Sequence, residues 1–475
     1  MISNSRSGQT WRATKILATL GSASESEEQI TQLIKAGVNI VRMNFSHGTH
    51  NEHLKRIEML RAIERKLAKP VGILADMQGP KYRIGRVVDG LSLLEGSLIQ
   101  FDHSNEIGNA ERLSLPHPEI FKALYPGARL LMDDGKLALV VKTLADNSFT
   151  AKVLTGGPVL SRKGVNVPDV KLDTDVLTSK DLKDLEFALD NGADWIALSF
   201  VQSVSDILAA KAKIAGRAQL MAKIEKPAAL AEIQDIINAS DAIMIARGDL
   251  GVELDAAEVP SVQKRLIYQC RKVGKPVVVA TQMLESMIHS PTPTRAEATD
   301  VAGAVFDGAD AVMLSAETAI GDYPIEAVKT MVNILTSAEM HIKEFPFDGP
   351  AQLDVEPSIY HAVAKAAVAL AHTIEAKAII AYSASGNTAV RIARERPAIR
   401  LFISTPELAV QRRLSVLFGA TTLRQAETDY EEALSITKET LKQEKVVNTN
   451  DAIVVVAGFP FGLAGSTNSI RVEHI

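Results

Sequence analysis

The stretch Leu220-Met221-Ala222-Lys223-Ile224-Glu225-Lys226-Pro227 sets a problem in electrostatics. Its apolar run reads as a buried strand, yet it ends in a lysine and a glutamate two positions apart. Side chains of a strand alternate between faces, so Lys223 and Glu225 point the same way. Burying one charge is costly, and burying two side by side calls for a compensating ligand or a paired network beyond the strand end.

Outward from this stretch the same texture recurs. Short apolar, β-branched runs follow helical-looking segments at 14–20 (TKILATL), 38–43 (VNIVRM), 71–76 (VGILAD), 194–200 (DWIALSF), 219–224 (QLMAKI), 241–246 (DAIMIA), 276–281 (PVVVAT) and 310–315 (DAVMLS). Several are introduced by small turn elements: AGVN, NGAD, VGKP and DGAD. Continuous apolar strands alternating with helices mean a parallel sheet covered on both faces. Eight such units predict an α/β fold, a (β/α)8 TIM barrel, with a doubly wound open sheet as the alternative.

The interval between the third and fourth runs has another texture. Segments such as RVVDGLSLLEGSLIQF and ARLLMDDGKLALVVKTLADNSFTAKVLTGG alternate apolar and polar residues between Asp-Gly, Glu-Gly and Gly-Gly turns. They predict an all-β domain, residues 84–167, inserted after strand 3, where barrel insertions usually lie over the active site. The barrel itself is expected to take residues 1–83 and 168–344. EFPFDGPAQLDVEPS reads as a linker, and IYHAVAKAAVALAHTI, KAIIAY, LFIS and AIVVVAGF beyond it predict a C-terminal α/β domain over 345–475.

Composition narrows the function. A chain of 475 residues has room for two to four domains, and a net charge of −5 argues against nucleic acid as a main partner. The single cysteine, Cys270, excludes a disulfide within the chain and fits a reducing cytoplasm. The first residues are polar, without the apolar core of a signal peptide, and no apolar run has the length of a membrane span.

Catalytic groups of such barrels sit at the C-terminal ends of the strands. There the sequence places Arg42, Asn44, Ser46 and His47; Asp76, Lys81 and Arg83; Lys223 and Glu225; Arg247, Gly248 and Asp249; Thr281 and Gln282; Ser315 and Glu317. Each alone reads equally well as a solvated loop residue, but their recurrence on one side of the apolar runs does not. Glu225 and Asp249 are hard oxygen ligands suited to Mg²⁺ or Mn²⁺, and no Cys/His cluster suggests zinc. Arg42, Arg83 and Lys223 are fixed cations that match phosphate oxygens. Backbone N–H groups at Gly248-Asp249 can hold a carboxylate or phosphate. Two acids with a metal and three cations fit phosphoryl transfer, and no Walker or dinucleotide-binding glycine pattern is present.

Taken together, MAKIEKP, IARGDLGVE, VRMNFSHG, DMQGPKYR, SRKGVNVPD and ATQMLESM resemble the pyruvate kinase family, in order and over nearly the whole chain. The resemblance implies transfer of a phosphoryl group from phosphoenolpyruvate to ADP, giving pyruvate and ATP, in a cytoplasmic, glycolytic, allosteric homotetramer. It implies that Lys223 stabilises the phosphoryl group in flight, that Glu225 and Asp249 hold Mg²⁺, and that Arg42 contacts the phosphate. The backbone of Gly248 and Asp249, with the Thr281 hydroxyl, would receive the carboxylate. Arg83 and Lys163, with Asn44 and His47, would approach the nucleotide phosphates. Asn44, Ser46, Asp76 and the carbonyl of Met77 would form a monovalent-cation site.

Two departures from the family pattern stand out. After Lys-Ile-Glu the family often has a polar residue and Glu-Gly, where this chain has Lys226-Pro227-Ala228-Ala229; that difference is expected to stay clear of the chemistry. Where the family commonly reads Asp-Thr-Lys-Gly-Pro-Glu, this chain reads Asp76-Met77-Gln78-Gly79-Pro80-Lys81. Lys81 brings its own ammonium, so K⁺ is expected to be dispensable. In the C-terminal domain, Ser383, Ser385, Gly386, Asn387 and Thr388 form a strand-to-helix turn that reads either as a simple cap or as a nest for a phosphorylated effector. A metal-dependent barrel lyase acting on an enolate, and a non-catalytic relative, are the competing readings. The inserted domain and Arg83 speak against the first. The presence of Lys223, Glu225, Asp249 and Thr281 speaks against the second.

Overall fold

In the computed structural model, residues 11–345, 349, 351–353, 357–424, 428–462, 465 and 467–475 are described. The polar N-terminal segment and parts of the expected linker lie outside the described residues. The eight apolar runs all form strands: β1 (Lys15–Thr19), β2 (Ile40–Asn44), β3 (Gly72–Asp76), β4 (Trp195–Leu198), β5 (Gln219–Ile224), β6 (Ala242–Ala246), β7 (Val277–Ala280) and β8 (Ala311–Leu314). They close into a barrel in the order β1-β8-β7-β6-β5-β4-β3-β2. Pairings among them, such as Lys15 with Ala311 and Met221 with Ala242, are parallel. Every residue of β1, β3, β6, β7 and β8 is buried, as strands covered on both faces require.

The turn elements noticed in the sequence have a common geometry. Gly37, Gly192, Gly274 and Gly308 all adopt positive φ, at 138°, 74°, 72° and 94°. At Gly37 and Gly308 the glycine N–H caps the preceding helix, donating to Leu33 and Ile34 and to Ala304 and Val305. A side chain there would be strained, so glycine ends each helix and turns the chain into the next strand. Helix starts are equally explicit: Ser26 with Gln29, Thr49 with Glu52 and Thr294 with Glu297 form reciprocal capping boxes.

The chain divides into two compact bodies. One holds Asp76–Leu189 and Ile196–Gln263. Within it the inserted segment forms a six-stranded sheet in the order Val165–Asn166, Arg129–Met132, Leu137–Ala145, Ser148–Thr155, Leu98–Asp102, Arg112–Ser114. Phe101 and Phe149 stack at 4.8 Å at its centre, with Phe121 edge-on to Phe149. The hairpin at Asp133-Asp134-Gly135 has three successive positive φ values, 52°, 56° and 83°, the requirement that Asp and Gly meet most cheaply.

The other body comprises the chain up to Ala75, Asp190–Trp195 and Lys264 onward. Its C-terminal sheet has β9 (Ala378–Tyr382) at the centre, β10 (Arg400–Thr405) and β11 (Ala420–Arg424) on one side, and β12 (Ala452–Gly458) and β13 (Thr467–His474) on the other. β13 is antiparallel to β12. β11 and β13 are not evident in the sequence: their burial is partial and their apolar runs are interrupted by threonines, asparagine and charges.

Buried polar contacts fasten this sheet to the N-terminal ends of the barrel strands. The carboxylate of Asp310 accepts from Val277 N (3.0 Å), Phe418 N (3.1 Å) and Arg396 Nη2 (2.8 Å). Glu64 receives Arg412 and the amide of Val71. Lys15, at the start of β1, donates to Ala420 O at 2.6 Å. Burial, helped by the charges of Arg12 and Lys69, pushes the Lys15 amine down to about 7.

That amine has a stability consequence. Below pH 7 the folded chain must hold a proton on a buried nitrogen; above it the folded amine is neutral while the unfolded lysine stays protonated up to its ordinary value of 10.5. Stability from this group therefore rises as pH climbs from 7 to 10.5. Thermal midpoints of the wild type and Lys15→Met should differ most in favour of the variant near pH 7, and this advantage should shrink by pH 10. A difference that does not change with pH would contradict the buried, titrating amine.

Candidate active site

β5 delivers the charges that opened the sequence reading. Lys223 lies near its end and Glu225 just beyond, on the same face, with side chains 11% and 2% exposed. The Lys223 ammonium sits 2.9 Å from Glu225 Oε1 and 3.2 Å from Asp76 Oδ1, and donates to Ser199 Oγ at 2.7 Å. Ser199, at the end of β4, donates onward to the Met77 carbonyl at 2.7 Å. The other oxygen of Glu225 accepts from the backbone N–H of Phe200 at 2.7 Å. Two buried carboxylates and one buried ammonium thus share a connected hydrogen-bonded cluster, the arrangement in which a buried charge is tolerated.

The backbone around the cluster is strained to serve it. Phe200 has φ of +55°, uncommon for an aromatic residue, and this posture accompanies the N–H aimed at Glu225. Gly79 packs against it with φ of +69°; a Cβ there would meet Phe200 Cδ2 at 3.0 Å and Ser199 Cβ at 3.3 Å. The Gly79 N–H is held by Asp181 Oδ1 at 3.2 Å. Ser199, Phe200, Gly79 and Asp181 were not singled out in the sequence as site residues. The signal for the first two was present as the polar-aromatic pair closing the fourth run.

Gly248 and Asp249 open the short helix Arg247–Glu253 directly after β6, as the sequence suggested. Burial pushes the Glu225 carboxyl up to about 7, with Lys223 pulling it down and the charge of Asp249 pushing it further up. Among the described residues no group of three or more His, Cys, Asp or Glu side chains could hold a metal ion. Two carboxylates that repel one another still suit a hard cation that keeps waters or substrate oxygens in its remaining positions.

In the inserted segment Lys163 pairs with Asp133 at 2.7 Å, and Arg83 donates to Arg162 O at 2.9 Å. Lys81 is exposed. The first departure from the family pattern is buried: Lys226 lies 3.2 Å from Glu253 Oε1, with side chains 7% and 1% exposed.

The other body carries the remaining candidates at its own strand ends. Arg42, in β2, donates to Thr19 Oγ1 at 3.2 Å, and Thr19 donates to Leu314 O. Asn44 Oδ1 accepts from Ser46 N at 3.1 Å, and the His47 carbonyl lies 3.0 Å from His53 Nε2. Thr281 and Gln282, after β7, both have positive φ, at 68° and 53°. Glu317 is turned to structural work, accepting from Ser315 N and Leu284 N. In the C-terminal loop Ser383 Oγ accepts from Gly386 N at 3.0 Å and the Thr388 hydroxyl is buried 2.5 Å from that of Thr467, while Ser385 and Asn387 are exposed.

The chain is similar to known proteins over nearly its whole length. Residues 11–328 match the family model of the pyruvate kinase barrel domain and residues 361–473 that of the pyruvate kinase alpha/beta domain. A pyruvate kinase of Agrobacterium vitis is 47% identical over 98% of this chain and 97% of its own. One of Methylorubrum extorquens is 44% identical over 98% of each chain. The crystal structure of a pyruvate kinase from Cryptosporidium parvum superposes with a TM-score of 0.91 at 33% identity, over 98% of this chain and 96% of that one. With both family models matched in order and the likeness running nearly end to end, the chain belongs to the pyruvate kinase family of glycolytic phosphotransferases.

Proposed function

We propose that the chain moves the phosphoryl group of phosphoenolpyruvate to ADP, with Mg²⁺ held by Glu225 and Asp249. Family membership carries the substrate pairs phosphoenolpyruvate/pyruvate and ADP/ATP and a divalent-metal requirement in general. The observation that supports the finer reading is the Lys223 ammonium, buried between Glu225 and Asp76 and steadied by Ser199. A cation fixed in that way needs no reorganisation when charge develops on a migrating phosphoryl group. A bound Mg²⁺ would neutralise phosphate and carboxylate oxygens of the substrates.

The chain's own residues then divide the remaining work. Arg42 contacts the phosphate, and the Thr281 hydroxyl with the backbone of Gly248 and Asp249 orients the carboxylate. Arg83 and Lys163, with Asn44 and His47, bind the nucleotide phosphates. The inserted segment 84–167 serves as a lid that excludes water. The barrel over 1–83 and 168–344 carries the chemistry, and 345–475 carries regulation. We place the enzyme in the cytoplasm as a homotetramer; among the described residues no helix is long and apolar enough to cross a membrane.

A coupled assay for ATP formation tests the reaction, and substitutions test the assignments. Lys223→Met should lower phosphoryl transfer by about 10³-fold or more while leaving Mn²⁺ affinity largely intact, because its charge acts mainly in the transition state. Proton exchange on pyruvate, which moves no phosphoryl group, should fall much less. Equal losses in both reactions would remove Lys223 from the proposed role. Glu225→Gln and Asp249→Asn should weaken Mn²⁺ binding itself, measured by titration with the folded protein; unchanged affinity would displace the metal site.

Potassium dependence follows from Lys81. Asn44, Ser46, Asp76 and the Met77 carbonyl are the groups of the monovalent-cation site, and the tethered ammonium of Lys81 supplies the charge that K⁺ would bring. Near-full activity is expected with Mg²⁺ in a tetramethylammonium buffer free of K⁺. Lys81→Glu should lower that activity and restore a response to added K⁺. A wild-type enzyme silent until K⁺ is supplied would disprove this.

For the effector we propose a phosphorylated metabolite at the 383–388 turn, met by the exposed Ser385 and Asn387, with Ser383 and Thr388 shaping the loop from within. Ser385→Glu should abolish activation by sugar monophosphates without changing unactivated turnover. A panel of sugar and nucleoside monophosphates without effect on the wild type would reduce the turn to a helix cap.

A further inference from the structure

Lys226 departs from the family pattern, and its surroundings give it a task. Its ammonium lies 3.2 Å from Glu253 Oε1 and 3.5 Å from Oε2, and both side chains are almost fully buried. The same Glu253 Oε1 accepts a hydrogen bond from the side-chain amide of Asn166 at 2.8 Å. The three residues come from three places that matter. Lys226 directly follows the carboxylate-bearing Glu225. Glu253 lies one helical turn from Asp249 in Arg247–Glu253, on the same side of the helix. Asn166 lies in the last strand of the inserted sheet, paired with Leu131 and three residues past Lys163.

A buried ion pair is a costly way to join two elements. Replacing it with apolar side chains is often neutral or better for stability. Its geometry is nevertheless specific: Glu253 is fixed by one charge from the strand-five loop and one amide from the inserted sheet. Any shift of the Asp249 helix therefore pulls on both. The inserted sheet is also held nearby by Leu172 and Gln202, whose backbone and side chain exchange two hydrogen bonds of 3.0 Å. Those contacts lie past the sheet and do not touch the helix that bears Asp249.

We propose that Lys226, Glu253 and Asn166 form a positioning strut that couples occupation of the Glu225/Asp249 carboxylates to the posture of the inserted domain. The proposal rests on the metal reading given above. With Glu225 and Asp249 holding a divalent cation, the helix Arg247–Glu253 would be fixed at its first turn, where Asp249 lies. Glu253, at its last turn, then holds the inserted strand through Asn166. Lid posture is in this way made to depend on metal before any nucleotide arrives. None of the three residues touches the reacting atoms; they act through the elements they tie.

The test uses Mn²⁺ alone as the probe, with the full-length protein. In the wild type, Mn²⁺ should bind and should slow amide hydrogen exchange over residues 165–170. Asn166→Ala should bind Mn²⁺ within about twofold of wild type, lose that slowing, and raise the KM for ADP by about tenfold, the scale of one hydrogen bond to a charged acceptor, with kcat less affected. Asn166→Asp should be worse, because it sets a carboxylate against Glu253, and the exchange of roles in Asn166→Asp/Glu253→Gln should recover both the slowing and the KM. Glu253→Gln alone leaves Lys226 without a counter-charge and can fail to fold, so Lys226→Met/Glu253→Gln serves as the neutral control; it should fold and should weaken the coupling. Retention of the Mn²⁺-dependent slowing and of wild-type KM in Asn166→Ala would overturn the strut. So would a loss of Mn²⁺ affinity in that variant. A wild type that binds no Mn²⁺ would instead overturn the metal assignment, and the coupling with it.

Discussion

The site is organised around one constraint: a lysine ammonium and two carboxylates lie under the surface, where none of them is tolerable alone. Lys223 answers Glu225 and Asp76 together, and Ser199 takes a further N–H. Removing Lys223 leaves two buried carboxylates without their shared counter-charge, an error worth about 3–5 kcal/mol. That penalty explains why the surrounding backbone accepts strain. The left-handed Phe200, and the glycine at position 79 that makes room for it, are small costs beside an unanswered carboxylate. The same desolvation that makes the cluster fragile makes it useful, since a fixed cation in a dry setting acts strongly on charge that develops beside it.

Much of this was legible from residue order, for identifiable reasons. Strands buried on both faces leave an unbroken apolar run, so all eight barrel strands stood out. The glycines ending the helices appeared because positive φ has few substitutes. The charges at the strand ends were visible because a lysine or glutamate closing an apolar run is anomalous. What escaped notice carries no such anomaly. Ser199 is a small polar residue at a strand end, and Phe200 contributes only its backbone N–H. Lys226 looked like an ordinary loop lysine because its partner Glu253 lies 27 positions on. β11 and β13 escaped because only part of each is covered, so threonines and charges interrupt the apolar pattern.

The two ends of the barrel strands carry different kinds of polar residue. At the carboxyl ends, burial and then the charge of Asp249 hold the Glu225 acid well above the usual carboxylate range. At the amino ends, Asp310, Glu64 and Lys15 are consumed in binding the C-terminal sheet. Buried ionisable groups are thus no guide to function by themselves. Their position along the strand, together with whether their hydrogen-bonding capacity is spent on backbone amides, separates the two uses.

The insertion after β3 also bears on how the chain can fold. Ile73 and Asp194 exchange hydrogen bonds although 121 residues separate them, so the barrel must close over a long detour. The detour is pinched at its neck, where Val165 N reaches Tyr82 O, Ile84 N reaches Lys163 O and Arg162 N reaches Gly85 O. Once the inserted sheet has formed, the connection from β3 to β4 is shortened to residues 77–81 before that neck and residues 166–194, which include the helix Ser179–Asp190, after it. Closure entropy grows only logarithmically with loop length, about 0.6 kcal/mol per doubling, so the larger gain is in search time. The inserted segment, which has its own aromatic centre, can assemble first and leave the two barrel strands joined by a connection comparable in length to that of one β/α unit.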